Sequence, residues 1–251
     1  MTNKIALVTG VGRRQSIGSA ITLALSREGW DVAFTYWEGT GGGTKPDTDA
    51  GDPIRLRDAC RAHGYRAIAI PADLAEESAS AVLYNTVHSE LGTVSGLVLS
   101  HAAIKPASIL TTEVESMNLH MAVNVRASWQ LIADFARQLP EGTPGQIVAL
   151  TSDHTAGNLP YGASKGALDR VVLAAAQELG PRGVTANLIN PGPVDTGWMT
   201  NEDRHEITAR QPTGRLGTPE DAANLVSFLL SPQGQWITGQ LIVSDGGYAL
   251  G

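Results

Sequence analysis

Short apolar, β-branched runs alternate with longer stretches of helical spacing along the whole chain, and this alternation restricts the fold more than any other feature. "KIALVT" is followed by "SIGSAITLALSREG", "DVAFTYW" by "PIRLRDACRAHG", and "RAIAIPAD" by "SASAVLYNTVHSELG". Repeated strand–helix units predict a parallel sheet with helices on both faces. Four further strands are expected in "SGLVLSH", "GQIVALTS", "GVTANLIN" and "GQLIVSDGG", with helices over 113–139, 160–180 and 218–231. Seven strands in 251 residues, with no linker between them, imply one doubly wound α/β domain spanning 1–251. The glycine-rich, polar stretch 38–53 lacks periodicity and reads as a surface loop between the second strand and its helix.

Charge narrows the partners. A net charge of −7 without any run of lysines or arginines argues against a nucleic-acid or anionic-membrane surface, leaving small molecules. The single cysteine, Cys60, allows no intrachain disulfide, and a strand that begins at Lys4 leaves no room for a signal peptide. No apolar stretch approaches the ~18 residues of a membrane span. A cytoplasmic protein is expected. The histidines show no metal-ligand spacing, so no metal is expected.

Two motifs carry chemistry. After the first strand, "TGVGRRQSIG" offers Gly10, Gly12 and Gly18 to a turn whose backbone amides and following helix could cradle a pyrophosphate, with Ser16 adding a hydroxyl; a plain turn is the alternative. In "PYGASKGALDRVV", Tyr161 and Lys165 stand four residues apart and share one helix face. An ammonium beside a phenol favours the phenolate and draws the tyrosine towards the range of a general acid or base, whereas a structural tyrosine beside an exposed lysine is the alternative.

Here the chain resembles the short-chain dehydrogenase/reductase family over essentially its whole length. "YGASK" matches the family's Tyr-x-x-x-Lys, "TSD" supplies Ser152 at a strand end and "VNV" supplies Asn124; "NPGPVDT" matches the Pro-Gly segment beside the nicotinamide, and "ITGQLIVSDGGY" the C-terminal strand and turn. The resemblance implies a Rossmann-type fold and an enzyme that reduces a ketone or oxidises an alcohol. Tyr161 would exchange a proton with the substrate oxygen, and Lys165 would hold the nicotinamide ribose while lowering the tyrosine pKa. Ser152 would bond the substrate oxygen, and Asn124 would order a water relay. The coenzyme contacts implied are Gly10, Gly12, Arg13, Arg14, Ser16, Ile17 and Gly18 in the first turn, Tyr36, Asp73 and Leu74 towards the adenosine, and Lys165, Pro191, Gly192, Val194 and Thr196 towards the nicotinamide. The segment 196–217 would cover the substrate, with Trp198 and Met199 as apolar contacts and His154 as a polar one. A homotetramer is implied by resemblance alone.

Departures from the family pattern sharpen these expectations. The family's Asn-Asn-Ala-Gly reads Ser100-His101-Ala102-Ala103, which makes His101 a structural replacement for an asparagine that ties strands together. The first turn has eight positions from Gly10 to Gly18 and resembles that of enoyl-thioester reductases, but those separate tyrosine and lysine by more than the four positions found here. Carbonyl chemistry, on a 3-oxoacyl thioester or another ketone, is therefore expected over C=C reduction; a dinucleotide-sensing regulator is the non-enzymatic alternative. No carboxylate ends the second strand at Tyr36, and Arg13 and Arg14 suit a 2′-phosphate, so the coenzyme is expected to be NADP(H), with Glu38 as the competing carboxylate. Asp73 is expected beside the adenine, or else as the cap of a helix beginning near Glu76. Ser152 and Tyr161 are nine positions apart, a shorter connection than the family's usual one, which predicts an open substrate entrance with His154 or Asn158 at its rim, unless 196–217 or a neighbouring subunit fills the space.

Overall fold

The computed structural model describes residues 4–39 and 51–250. Its strands β1 (Lys4–Thr9), β2 (Trp30–Tyr36), β3 (Ala67–Pro71), β4 (Gly96–Leu99), β5 (Gly145–Leu150), β6 (Val184–Asn190) and β7 (Leu241–Val243) form one parallel sheet in the order β3-β2-β1-β4-β5-β6-β7. Ala6 of β1 pairs with Val32 of β2 on one side and with Gly96 of β4 on the other. The helices are α1 (Ile17–Arg27), α2 (Asp52–Arg61), α3 (Ala79–Glu90), α4 (Val114–His120), α5 (Ala127–Gln138), α6 (Leu159–Leu179), α7 (Asn201–Arg210) and α8 (Pro219–Leu230).

Strand alternation divides the core. Leu7, Leu97, Ile147 and Leu188 point to the face covered by α3, α5 and α6, where Leu83, Phe135 and Leu168 meet them. Ala6, Val8, Val98 and Val148 point to the other face, against Ile21 and Leu25 of α1 and Val226 of α8. Burying each such Leu, Val or Phe contributes about 1.5–3 kcal/mol. Connections leaving β1 and β4 run to opposite faces, so a crevice opens beyond the carboxyl ends of these two neighbouring strands.

Three features differ from the sequence reading. The expected helix over 113–139 is α4 and α5 joined by a π-helical turn, Met121–Arg126, in which the Ala127 N–H reaches back to Ala122 O. Residues 201–210 of the expected substrate segment form α7, started by a reciprocal Thr200–Asp203 capping box. Asp52 and Pro53 of the expected loop 38–53 belong to the first turn of α2, while residues 40–50 of that loop lie outside the described residues. Among the described residues no helix is long and apolar enough to cross a membrane, and Cys60 is buried.

Candidate active site

The crevice is a cleft of about 650 Å³. Gly10, Gly12, Arg13, Ser16, Ile17 and Gly18 line one wall, Tyr36, Asp73 and Leu74 the end formed by β2 and β3, and Tyr161, Lys165, Pro191, Thr196 and Trp198 the other end. The turn after β1 is drawn tightly against β4. Gly10 has a φ of +75°, and a Cβ there would overlap His101 Cα and lie 2.6 Å from His101 N, so only glycine allows this approach. Ser16 is the N-cap of α1, its hydroxyl accepting the Ser19 N–H at 3.1 Å; its task is to shape the helix end rather than to offer a free hydroxyl. No carboxylate stands in the first turn of α1, so the positive end of the helix faces the cleft unopposed by its own side chains.

The two arginines diverge. The Arg13 guanidinium lies 4.2 Å over the Trp198 ring, joining the turn after β1 to the start of the 196–217 segment. Arg14 is exposed and does not line the cleft; its N–H donates to Asp52 at the start of α2. At the β2–β3 end of the cleft, Asp73 accepts the Ala75 N–H at 2.8 Å, closing an Asx turn. It does not cap a helix near Glu76, because α3 begins at Ala79, and its position in the cleft lining is compatible with the adenine expectation.

Tyr161 and Lys165 lie on the first turns of α6, with Lys165 Nζ 5.7 Å from the phenol ring centre. Ser152 lies two residues beyond β5, outside the cleft lining. Burial raises the Tyr161 pKa, and the neighbouring Ser152 hydroxyl lowers it. The Lys165 ammonium is buried and donates to Leu150 O at 2.8 Å; burial lowers its pKa to about 8, and Asp169 opposes that fall. Lys165 is expected from the sequence to lower the phenol's pKa; in the structure burial raises it and the lowering comes from Ser152.

Asn124 is buried in the π-helical turn with its amide fully engaged. Its Nδ2 donates to Ala103 O and to Ser164 Oγ, and its Oδ1 accepts the Ala103 N–H at 2.7 Å. His101 lies beside it as a neutral tether. Nε2 donates to Val123 O at 3.0 Å, a carbonyl that can only accept, which leaves Nδ1 to accept from Thr9 Oγ1 at 2.6 Å. Burial, and then the Lys165 charge, push the His101 pKa down to about 3.

Several expected contacts stand behind or outside the lining. Gly192, with φ +62°, packs against Asp245, and Val194 is buried and bridges Gly217; both support Pro191 and Thr196 from behind. Met199 precedes the capping box of α7 and is not part of the lining. His154 is exposed and also outside it: its carbonyl oxygen rests on Gly162, where a Cβ would overlap it, and its N–H donates to Ser152 Oγ at 3.3 Å. Asn158 is buried at the N-terminus of α6 rather than set on a rim. Residues outside the sequence motifs, including Thr35, Trp37, Ile104, Leu119 and Thr151, complete the lining. Thr35 and Thr151 sit at the carboxyl ends of apolar strands, a signal readable in retrospect; Ile104 and Leu119 come from an irregular connection that carries none. No group of three His, Cys, Asp or Glu among the described residues is placed to hold a metal ion.

A family model described as enoyl-(acyl carrier protein) reductase matches residues 10–249. An uncharacterized oxidoreductase of Bacillus subtilis, YjdA, is 35% identical over 99% of this chain and 98% of its own. The chain belongs to the short-chain dehydrogenase/reductase family. A short-chain dehydrogenase of Burkholderia cenocepacia, solved in complex with NADP, is 33% identical with a TM-score of 0.86, covering 98% of each chain. The angucycline C-6 ketoreductase LanV, solved with bound NADP, is 28% identical with a TM-score of 0.86 over 99% of this chain and 96% of its own. Short-chain dehydrogenases/reductases of this kind are nicotinamide-dependent oxidoreductases, and the glycine turn, the bare helix end and the buried ammonium fit such a dinucleotide.

Proposed function

We propose that the protein reduces a ketone to a secondary alcohol, reversibly, with NADP(H). One observation carries the reading: the Tyr161 phenol lines the cleft with the buried Lys165 ammonium one helical turn along, 5.7 Å from its ring centre, and the Ser152 hydroxyl stands near enough to lower the phenol's pKa. NADP(H), when bound, supplies or accepts the hydride. Tyr161 Oη gives its proton to the carbonyl oxygen. Because Ser152 Oγ already accepts the His154 N–H, its own hydrogen is free to turn to the substrate oxygen and steady the developing alkoxide. Lys165 holds the nicotinamide ribose and, as an ammonium, favours the phenolate left after proton transfer. Asn124 braces the Ala103 segment and Ser164 beneath this group; both its amide hydrogens are committed, so any water relay there would use backbone groups.

Several observations support NADP(H) over NAD. Tyr36 occupies the strand end where a carboxylate would repel a 2′-phosphate, Glu38 is not in the lining, Arg13 and Arg14 flank the turn, and two similar structures hold NADP. Phosphate contacts fall to the first turn and Arg13, adenine contacts to Asp73 and Leu74, and nicotinamide contacts to Pro191, Thr196 and Lys165. The substrate is a 3-oxoacyl thioester or a bulky free ketone, lying against Ile104, Leu119 and Trp198. A homotetramer would cover the exposed apolar side chains of Met121 and Trp129, of Trp236, and of Leu241 and Val243 on β7. The lone, buried Cys60 suits a cytoplasmic protein.

The test is loss of NADPH absorbance with a panel of 3-oxoacyl thioesters, bulky ketones and α,β-unsaturated thioesters. Turnover of ketones that disappears in Tyr161→Phe supports the proposal. Turnover of the unsaturated thioester alone would favour the enoyl reductase suggested by the family model's description. Coenzyme binding without turnover on any substrate would favour a dinucleotide sensor.

A further inference from the structure

The end of β5 is gripped twice by α6. Leu150 O accepts the Lys165 ammonium at 2.8 Å, and the next residue, Thr151, donates its hydroxyl to Asp169 Oδ1 at 2.5 Å. Lys165 and Asp169 are four residues apart on α6, so they stack on consecutive turns of one helix face and hold consecutive residues of the strand end. The residue after those two is Ser152. Asp169 therefore stands one turn behind the lysine and two residues' reach from the serine, although it does not line the cleft.

We propose that Asp169 is a positioning residue for the catalytic group: through Thr151 it fixes the strand end that presents Ser152, and its carboxylate keeps the buried Lys165 in the ammonium form. The inference rests on the roles given above to Ser152 and Lys165. The surroundings leave this task to Asp169. Facing Lys165 are the Tyr161 phenol on its own helix and, from the end of β4, His101, which is neutral. On elements packed against α6, Arg126 of the π-helical turn is paired with Glu77, Asp134 and Arg137 of α5 pair with each other, His120 of α4 is held by Ser116 O and the Lys105 N–H, and Glu115 is exposed. No residue of β6 is charged. Burial raises the Asp169 pKa above the ordinary carboxylate value, and the Thr151 hydroxyl, the Lys165 ammonium and the exposed Arg170 oppose that rise in favour of the ionised form. Burial acts on Lys165 in the opposite direction to Asp169, so removing the carboxylate leaves burial unopposed and drives the ammonium to lose its proton at lower pH.

Asp169→Asn keeps an oxygen for Thr151 and removes only the charge, while Thr151→Val removes the tie and keeps the charge. The chain has four lysines, Lys4, Lys45, Lys105 and Lys165, so a ¹³C-lysine spectrum of the full-length protein can follow Lys165 directly, assigned with Lys165→Arg. In Asp169→Asn the Lys165 signal should titrate at lower pH than in the wild type. The basic limb of kcat for ketone reduction should move with it, giving about tenfold loss near pH 8.5 and near parity near pH 6. Thr151→Val should lower kcat about tenfold across the range, with coenzyme KM changed less than about twofold. A Lys165 titration unmoved by Asp169→Asn overturns the inference, as does an unchanged kcat in Thr151→Val. A moved titration with an unmoved kcat limb supports the charge coupling and instead refutes the catalytic role assigned to Lys165.

Discussion

Replacing Gly162 by alanine separates the stability of α6 from the alignment of Ser152. Gly162 is the fourth residue of α6, its N–H bonded to Asn158 O at 3.0 Å, with helical backbone geometry that alanine adopts freely. Alanine in place of glycine favours a helix by about 1 kcal/mol. Against this, the new Cβ would overlap His154 O and approach its carbonyl carbon to 3.0 Å. Restoring ordinary contact requires the His154 peptide to retreat by about 1 Å, and overpacking of this kind costs about 1–3 kcal/mol. The two effects leave a net loss of about 0–2 kcal/mol, which a folded protein tolerates. His154, however, also donates its N–H to Ser152 Oγ, and if Ser152 acts as proposed, a displacement near 1 Å there costs about 10²-fold in rate. The expected result is a kcat lower by about that factor, coenzyme affinity unchanged, and only a small shift in the urea midpoint. One glycine inserted at 155–157 should recover part of the loss by giving the loop slack. A kcat within about twofold of wild type, or a stability loss beyond ~3 kcal/mol accounting for all lost activity, would refute the reasoning.

Three other perturbations test separate parts of the site. NADPH should exceed NADH in kcat/KM by at least about tenfold, and Arg13→Ala should remove about tenfold of that preference; equal use of the two coenzymes in the wild type would refute the assignment. Asp73→Ala should weaken coenzyme binding in a fluorescence titration and cost about 1 kcal/mol through the lost Asx turn; unchanged affinity with lowered stability would restrict Asp73 to the turn. The His101 pKa near 3 lies below the 6.5 of an unfolded histidine, so the unfolded chain takes up this proton first; the stabilisation is complete above about pH 6.5 and declines as pH falls. It should amount to about 2 kcal/mol between about pH 6.5 and 5, measured by urea unfolding, and His101→Asn should flatten that slope.

The sheet and its order of elements were legible because each buried strand is a continuous apolar run and each helix carries its own period. The candidate site residues were legible for a different reason: Tyr161 and Lys165 are placed one turn apart by helical spacing, and Gly10 by a turn that admits no side chain. What spacing could not supply is what depends on a distant neighbour. The π-helical turn around Asn124 packs against the loop after β4, where the neighbours that satisfy Asn124 and Val123 are Ala103 and His101, twenty or so residues back. Helix α7 lacks an apolar stripe, so only the Thr200–Asp203 capping pair announced it. Arg13 and Arg14 were read as a pair, but adjacent residues in a turn diverge, and one meets Trp198 while the other meets Asp52. Asp169 was passed over because a carboxylate mid-helix gives no motif until Thr151 is seen against it.

The position of β1 in the middle of the sheet has a consequence for how the chain folds. β1, β2 and β3 are consecutive in the chain and lie side by side in the sheet, β2 between the other two, so the first seventy residues can associate as soon as they are made. The other flank of β1 must wait for β4, with Ala6 finding Gly96 across ninety residues of intervening chain, a closure that carries a large entropic cost before any contact repays it. Only then can Thr9 meet His101 and the turn at Gly10 press against Ser100. The nucleotide cleft is thus a late product of folding, and until β4 arrives β1 presents an unpaired edge of five buried residues, Ile5 to Thr9, the segment of this chain most exposed to association with other nascent chains.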